Sequence, residues 1–453
     1  DSPIREQIMK NLQLDCSFED LVDILEVIGK KENCIIPILV DAINETYNFR
    51  LWKSGLPAII DKVKHTSMVR LVLTYRTEYE SDLIPENIPD LLKIQHRGFK
   101  DNSISAIRSF LNEFDIPFSP LECFGDEMSN PLFLSLYCKT YNGEEVSLPR
   151  LYELLIERAN ENIFRSLRNE LNSKGYNETT DILTPFISEI SKIMVTSGSR
   201  NISKEELSTS NFWSFYQLTA ASFLRELEKE QILHCSPRGG QHYFFSYDQM
   251  NDYFCAQEIL KTYKDPQSIR QYLTNTILKI KNGTANNLGN TGLFVCACAI
   301  YAERYREECI DIIDQITDDY SKELIISDYI KSFLWRRSTS VTAESFMHFL
   351  RTHPHNSEDV WQVLIGNSVK ITSPLNANFL HNLLLNLELN QRDLAWTVYI
   401  NNNLEKNHRI IQLIEMYIHG EKLEFKNEKQ IELLLTLFSW LLTSSNRQLR
   451  DNA

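Results

Sequence analysis

An aspartate and a glutamate four residues apart close a long apolar run in Cys34-Ile-Ile-Pro-Ile-Leu-Val-Asp41-Ala-Ile-Asn44-Glu45. A buried strand that ends in an acidic residue delivers its carboxylate to the carboxyl edge of a parallel sheet, where α/β proteins bind their ligands. There Asp41 can hold a magnesium ion, directly or through water, because magnesium prefers hard oxygen ligands and keeps several waters. If the chain passes straight into a helical turn, Glu45 lies on the same face and can polarise a water while Asp41 stays on the metal. The same spacing is also an ordinary solvated helix pattern, and only the apolar run before it separates the two readings. A second apolar run, Met68–Thr74, ends in Leu73-Thr74-Tyr75-Arg76. With both strand ends side by side, Thr74 and Arg76 can sense or neutralise a terminal phosphate, as arginine does in phosphoryl transfer. The plainer role for Arg76 is to cap the sheet edge through a salt bridge.

The loop that would cradle the phosphates is not in the sequence. No G-x-x-x-x-G-K-[ST] occurs, and Gly29-Lys30-Lys31 lacks the first glycine and the Ser/Thr. In a P-loop enzyme that loop precedes the acidic strand. Residue 1 is Asp1 rather than Met, and the last residues, SSNRQLRDNA, have no tail character. Both ends read as cuts inside a longer polypeptide, with the first cut after the phosphate loop.

The elements that must position these residues are legible along the chain. Ser17-Phe18-Glu19-Asp20 starts an amphipathic helix through Ile28 as an N-cap with an acidic first turn, and Gly29 is expected to end it. Cys34–Val40 and Met68–Thr74 are continuous apolar runs, the mark of strands buried on both faces of a parallel sheet. A helical stretch from about Leu51 to Val63 supplies the crossover, so residues 1–98 read as a βαβ-containing α/β domain. Residues 99–180 turn helical, with Leu151, Leu155, Ala159, Ile163 and Leu167 as one packed stripe. Over 181–264 come helices, a cap at Ser203, a helix from about Ala220 to Ile232, and a hairpin from ILHC through SPRGGQ to HYFFSY. Three helices and a two-stranded wing describe a winged helix. From 265 to 453 separate helices are expected over 293–316, 322–335, 342–351, 358–365, 377–388, 392–400, 408–419 and 428–443, an α-helical repeat array with no strict period.

Composition narrows the function classes. Of 453 residues, 43% are hydrophobic and 24% charged, close to a globular average, which excludes a mainly disordered or membrane-spanning chain. Net charge is −14, from 47 basic and 61 acidic residues, which works against phosphate-backbone binding as the main task. The longest apolar runs, Leu293–Ala302 and Leu433–Leu442, reach about half of the roughly 20 residues that span a bilayer. Nine cysteines, odd in number and scattered through apolar segments, read as reduced core thiols of a cytoplasmic protein. Cys296-Ala-Cys298 has no second Cys/His pair nearby and reads as helix packing rather than zinc. His353-Pro-His355 reads as a loop.

These motifs, taken in order, resemble a known family. LVDAINE is similar to the Walker B strand of STAND NTPases of the NACHT kind, and LVLTYR to their sensor strand. Asn130-Pro131-Leu132-Phe133-Leu134 resembles the helical-domain motif whose proline lies against the nucleotide base. FFSYDQMNDYFCAQEIL (Phe244–Leu260) resembles their winged-helix signature. More specifically, the chain is similar to bacterial antiviral STAND proteins (Avs), through an acidic-Ala-Leu-Asn-Glu Walker B, a Tyr-acidic pair in the winged helix, and later motifs like Phe333-Leu334-Trp335-Arg336, Arg392-Asp393-Leu394-Ala395-Trp396 and Asn446-Arg447-Gln448-Leu449-Arg450-Asp451. The similarity runs from about Asp20 to the end. Tyr247 stands where many NACHT proteins carry a phosphate-contacting histidine, and Ile43 replaces a commoner leucine.

The resemblance implies an ATP-binding and hydrolysing switch, with Mg2+ on Asp41, Glu45 activating water, Arg76 reading the terminal phosphate, Pro131 against adenine, and Thr74 and Tyr247 at the nucleotide. It further implies an N-terminal effector, often a nuclease, and a sensor that binds a phage protein such as the large terminase or portal, with oligomerisation on activation. Nucleic acid would then be touched only through an effector outside these residues. Two other classes stay open. One is a winged-helix DNA-binding initiator-type ATPase, although its groove helix, Ser222–Ile232, sets Glu226, Glu228 and Glu230 against Arg225 and Lys229. The other is an adaptor with a dead nucleotide site and a protein-binding helical array.

Overall fold

A computed structural model describes residues 3–43, 49–75, 83–85, 92–94, 96, 98–99, 103–116, 126–141, 147–236, 242–277, 291–309, 319–353, 357–403, 428–443 and 447–452. Among these residues the chain is mostly helical, with two small sheets. It divides into two compact units, residues 1–95 with 235–242 and residues 96–234 with 243–453.

In the first unit α1 (Ile4–Leu12) and α2 (Phe18–Glu32) precede β1 (Ile36–Val40), and α3 (Phe49–Lys64) leads to β2 (Val69–Leu73). The start of α2 follows the sequence: Ser17 accepts from the Asp20 backbone N–H at 3.0 Å while Asp20 accepts from the Ser17 N–H at 3.3 Å, a complete capping box. Its end does not. Gly29 lies inside the helix, which runs on to Glu32 and closes at Asn33 in the left-handed conformation. A Cβ at Gly29 would stand 2.6 Å from Met68 Cβ and 2.9 Å from the Cys34 carbonyl, so this glycine lets α2 pack against the start of β2.

β1 and β2 pair in parallel, Ile36 opposite Val69 through Val40 opposite Leu73, with α3 between them in sequence. Ile38, Val40, Leu71 and Leu73 point into a core with Phe18, Val22, Trp52, Leu56 and Ile59. The expected burial of both sheet faces is overturned: Leu39 is 69% and Val72 44% exposed, and Pro37 and Arg70 are exposed beside them. The core residues of the three helices cluster with one face of the pleat, and successive side chains alternate between faces.

Glu26 ties α2 to the sheet. Its carboxylate accepts from the Ser67 hydroxyl at 2.7 Å and the Met68 N–H at 2.8 Å, and Lys30 lies 2.9 Å away. Lys30, then Ser67 and Met68, pull its pKa from 4.5 down to about 2. A carboxyl depressed on folding stabilises above its unfolded pKa, so this contribution is expected to fade as pH falls from 4.5 toward about 2. Glu26→Gln should therefore flatten the acid limb of the unfolding free energy measured in denaturant; an unchanged limb would remove Glu26 from that role.

The second unit opens with α4 (Ser103–Glu113), α5 (Pro131–Thr140), α6 (Leu148–Ser166) and α7 (Arg168–Ser173). Leu151, Leu155, Ala159 and Ile163 of α6 are buried as their spacing predicts. Next come α8 (Leu183–Ser197), β3 (Asn201–Ser203), α9 (Lys204–Ser208), α10 (Asn211–Tyr216), α11 (Ala220–Lys229), β4 (Leu233–Ser236), β5 (His242–Phe245) and α12 (Asp248–Thr262). Ser203 caps α9 with Glu206 as a capping box. The sheet has three strands in the order β3-β5-β4 rather than the two expected. β3 is too short to carry an alternation that sequence reading can detect.

The array follows as α13 (Pro266–Ile277), α14 (Thr291–Tyr305), α15 (Asp319–Trp335), α16 (Ala343–Thr352), α17 (Ser357–Asn367), α18 (Ala377–Leu385), α19 (Leu389–Arg392), a π-turn at Asp393–Thr397, α20 (Val398–Asn403), α21 (Glu428–Leu441) and α22 (Arg447–Asn452). α14 packs on α15, α15 on α17, α17 on α18 and α18 on α21. Two expectations change. The helix expected over 293–316 ends at Tyr305, with Arg306 left-handed, and the segment 377–388 stops at Leu385. The helix expected over 408–419 lies outside the described residues. Cys296 and Cys298 are buried in α14. Among the described residues no helix is long and apolar enough to cross a membrane.

Candidate functional site

The parallel register decides which residues meet at the carboxyl edge of the first sheet. Val40 and Leu73 are the last paired residues, so Asp41 and Thr74 are the first beyond the ladder on neighbouring strands. The Thr74 N–H donates to the Val40 carbonyl at 3.1 Å, and the Thr74 carbonyl accepts from the Ile43 N–H at 3.0 Å. Between them the Thr74 hydroxyl works in both directions, accepting from the Ala42 N–H at 2.8 Å and donating to Asp41 Oδ1. Thr74 thus closes a ring around the Asp41–Ala42 peptide.

That ring holds an unusual backbone. Ala42 has φ 53°, in the left-handed region where an L-residue pays a steric cost. The turn sends Ile43 into the core at 2% exposure while Asp41 stays exposed. It also removes the premise that placed Glu45 on the Asp41 face, because the chain does not run from Asp41 straight into an α-helical turn. Glu45 and Arg76 themselves lie outside the described residues.

Asp41 Oδ2 has no protein partner among the described residues. An exposed carboxylate oxygen beside a threonine hydroxyl is a hard-oxygen donor set, which suits magnesium with most of its waters retained. The residues present therefore fit the ion that the sequence implied, as one carboxylate ligand of a water-rich shell. Among the described residues no group of three or more His, Cys, Asp or Glu side chains forms a metal cage.

The other two sequence-derived residues lie in the second unit. Pro131 is the first residue of α5, where its missing N–H costs nothing, and the Asn130 side chain accepts from the Phe133 N–H at 3.3 Å. Gly98, a residue that no motif marked, packs on this turn. It has φ +68°, and a Cβ there would stand 2.6 Å from the Ser129 carbonyl and 3.2 Å from Pro131 Cδ. Tyr247 immediately precedes α12 and is half-buried, which raises its pKa. Its hydroxyl donates to Gln231 Oε1 at 3.3 Å, and Lys139 Nζ donates to the same oxygen at 2.6 Å. Lys139 lies near the far end of the helix that Pro131 begins. Gln231 thus couples Tyr247 to the Pro131 helix from a position just past α11, where its φ of 57° is left-handed.

The helix after Tyr247 is deeply buried and carries charge. Arg200 pairs with Asp252 and lies 3.3 Å from Asp248. Burial pushes the Asp252 carboxyl up to about 6 even though Arg200 pulls it back. Gly292 at the start of α14 leaves room for this carboxylate, since a Cβ there would collide with Asp252 Oδ2. Further along α12, Tyr253 stacks on Tyr152 of α6 with centroids 4.8 Å apart.

α11, the helix that would enter a DNA groove, packs on α6. Phe223, Leu224 and Leu227 are buried, and Asn162 of α6 donates to Glu230 at 3.0 Å. Lys229 is paired with Glu226 at 2.5 Å. No protein-family model and no curated protein matches the chain.

Proposed function

We propose that this chain belongs to an ATP-dependent signalling switch of the STAND type. In this reading residues 1–98 supply half of a P-loop ATPase core, 99–180 a helical lid, 181–264 a winged helix, and 265–453 the start of a helical-repeat sensor. The observation that carries it is the parallel β1–β2 pair, whose common carboxyl edge joins Asp41 to Thr74. Carboxyl edges of parallel sheets are where α/β proteins bind nucleotides. Magnesium, when bound, neutralises charge between the phosphates. By the resemblance, Asp41 would hold it, Glu45 would act as the base toward water, Arg76 would answer the terminal phosphate, Pro131 would meet the adenine and Tyr247 would back the site. The reading requires a phosphate-cradling loop that these 453 residues do not contain.

The stacked array offers a large surface for a protein ligand. The ligand class we assign is a phage protein of the terminase or portal type, with oligomerisation activating an effector in bacterial antiphage defence. The DNA-binding reading has less support, because α11 and its end set Glu226, Glu228 and Glu230 against Arg225 and Lys229, and Lys229 is already paired with Glu226. Two measurements test the proposal. Full-length protein should bind a fluorescent ATP analogue only with magnesium present, and should capture a terminase or portal protein on co-expression. Absence of magnesium-dependent binding leaves the adaptor reading; binding of nucleotide without capture of any phage protein removes the defence role.

A further inference from the structure

The charged groups at the front of α12 have no part in the nucleotide site, and they stand where α14 of the array meets that helix. Asp248 and Asp252 lie one turn apart on α12. The guanidinium of Arg200, just before β3, reaches both, pairing with Asp252 through Nη2 and lying 3.3 Å from Asp248 through Nη1. The two carboxylates differ in surroundings: Asp248 is 43% exposed at the side chain, Asp252 8%. Asp252 Oδ2 occupies the space of a side chain at Gly292, the second residue of the fifteen-residue α14, and α12 and α14 pack on each other. Tyr152 of α6 and Cys296 of α14 also face this carboxylate, and Cys255 lies beside it on α12. Burial raises the pKa of all three, so they stay neutral while Asp252 titrates. α8, which also packs on α12, sends Ser188 to Glu258, further along the helix, at 2.6 Å.

We propose that Asp252 and Arg200 make the seat of α14 on α12 a proton-linked joint: with a proton on Asp252 the seat is tight, and without it the seat loosens. Arg200 and the first turn of α14 both favour the charged carboxylate. Seating α14 against it, however, removes its water, and that favours the neutral acid. Burial is the largest of these effects; with the Arg200 attraction and the Asp248 repulsion it leaves the pKa at about 6. When α14 lifts, water returns and the pKa falls toward 3.8. A carboxyl whose folded pKa is raised adds its stability in full below the unfolded value and loses it as pH rises through the folded one. The seat therefore tightens as pH falls from about 6 toward 3.8. Arg200 keeps a partner in either state, because Asp248 stays within reach when Asp252 is neutral. This joint does not rest on the nucleotide reading.

Hydrogen exchange on the full-length protein, corrected for the intrinsic pH dependence of exchange, tests the joint across Thr291–Tyr305. Relative to α18, protection there should rise about tenfold as pH falls from about 8 to about 5, the factor that linkage to a carboxyl near 6 supplies. Asp252→Asn carries no charge at any pH, so its protection should stay flat over the same range. Asp248→Asn changes an exposed side chain, removes the repulsion and leaves Arg200 to Asp252, so the rise should begin at lower pH. Flat protection in the wild type, or an equal rise in Asp252→Asn, overturns the joint. Should Asp252→Asn fail to fold, Asp248→Asn decides: a rise moved to lower pH supports the joint, and an unmoved one overturns it.

Discussion

On the proposed nucleotide reading, Asp41→Asn in the full-length protein is expected to keep the fold and lose roughly 10²–10³-fold in ATP hydrolysis, the order of effect of removing one preorganised electrostatic contact to the transition state. Asparagine is the informative substitution because its side-chain oxygen can still accept the Thr74 hydroxyl. The ring around Ala42 then survives, and only the negative charge toward the cation is removed. Thr74→Val is the complementary change. It keeps the side-chain shape but removes both hydroxyl contacts, so its effect reports on the Ala42 turn rather than on the charge. Glu45→Gln should still bind ATP and should hydrolyse it some 10²–10⁴-fold more slowly, the typical share of general-base catalysis. Turnover and magnesium-dependent binding would be measured on all three. Hydrolysis by Asp41→Asn within about twofold of wild type would separate this sheet edge from any nucleotide chemistry.

Phe186→Ala is expected to cost about 3–5 kcal/mol, the range for truncating a fully buried aromatic residue in a core that cannot collapse. Phe186 of α8 is fully buried and meets Phe212, Trp213 and Phe223 at centroid distances of 4.9, 5.6 and 5.2 Å. These rings come from α8, α10 and α11, so one side chain of the helix before β3 holds two of the helices that follow it. Loss of the ring removes its dispersion contacts and leaves a void lined by aromatic faces. Denaturant unfolding followed by tryptophan fluorescence would report the change directly, since Trp213 is one of the partners. A loss below about 1 kcal/mol would show that the cluster relaxes around the gap and is not the centre of this region.

What sequence reading reached depended on how local each signal is. Helix starts were legible because a cap and its acceptor are three residues apart, and Ser17 and Ser203 both form complete capping boxes. The α6 stripe was legible because helical spacing puts Leu151, Leu155, Ala159 and Ile163 on one side in any environment. Gly29 was misread for the opposite reason. A glycine near the end of a helical pattern usually stops it, but here the partner that needs the missing side chain is Met68, just before β2. Gly98 and Gly292 likewise answer to Pro131 and Asp252, which no local rule connects to them.

The candidate site divides along the same line. Asp41 and Thr74 could be named from their places at the ends of apolar runs, because a strand end is a local property. The ring that Thr74 closes through the Ala42 N–H, and the left-handed turn at Ala42, could not, since they arise only when the two strands pair in parallel register. Gln231 escaped notice because its importance lies in accepting from Lys139 and Tyr247, residues far from it in the chain. Phe333-Leu334-Trp335-Arg336 was noticed as a motif without a task, and the neighbouring Arg337 was not noticed. By itself the sequence determined the order of the longer elements, the caps at Ser17 and Ser203, the apolar stripe of α6 and the acidic strand end, all set by interactions within a turn or two of chain. The tertiary structure alone decided which face of the first sheet is covered, why the glycines stand where they do, and that Trp335 and Arg337 bring the array onto α5 and α6. Those depend on contacts between distant residues, whose partners no local pattern specifies.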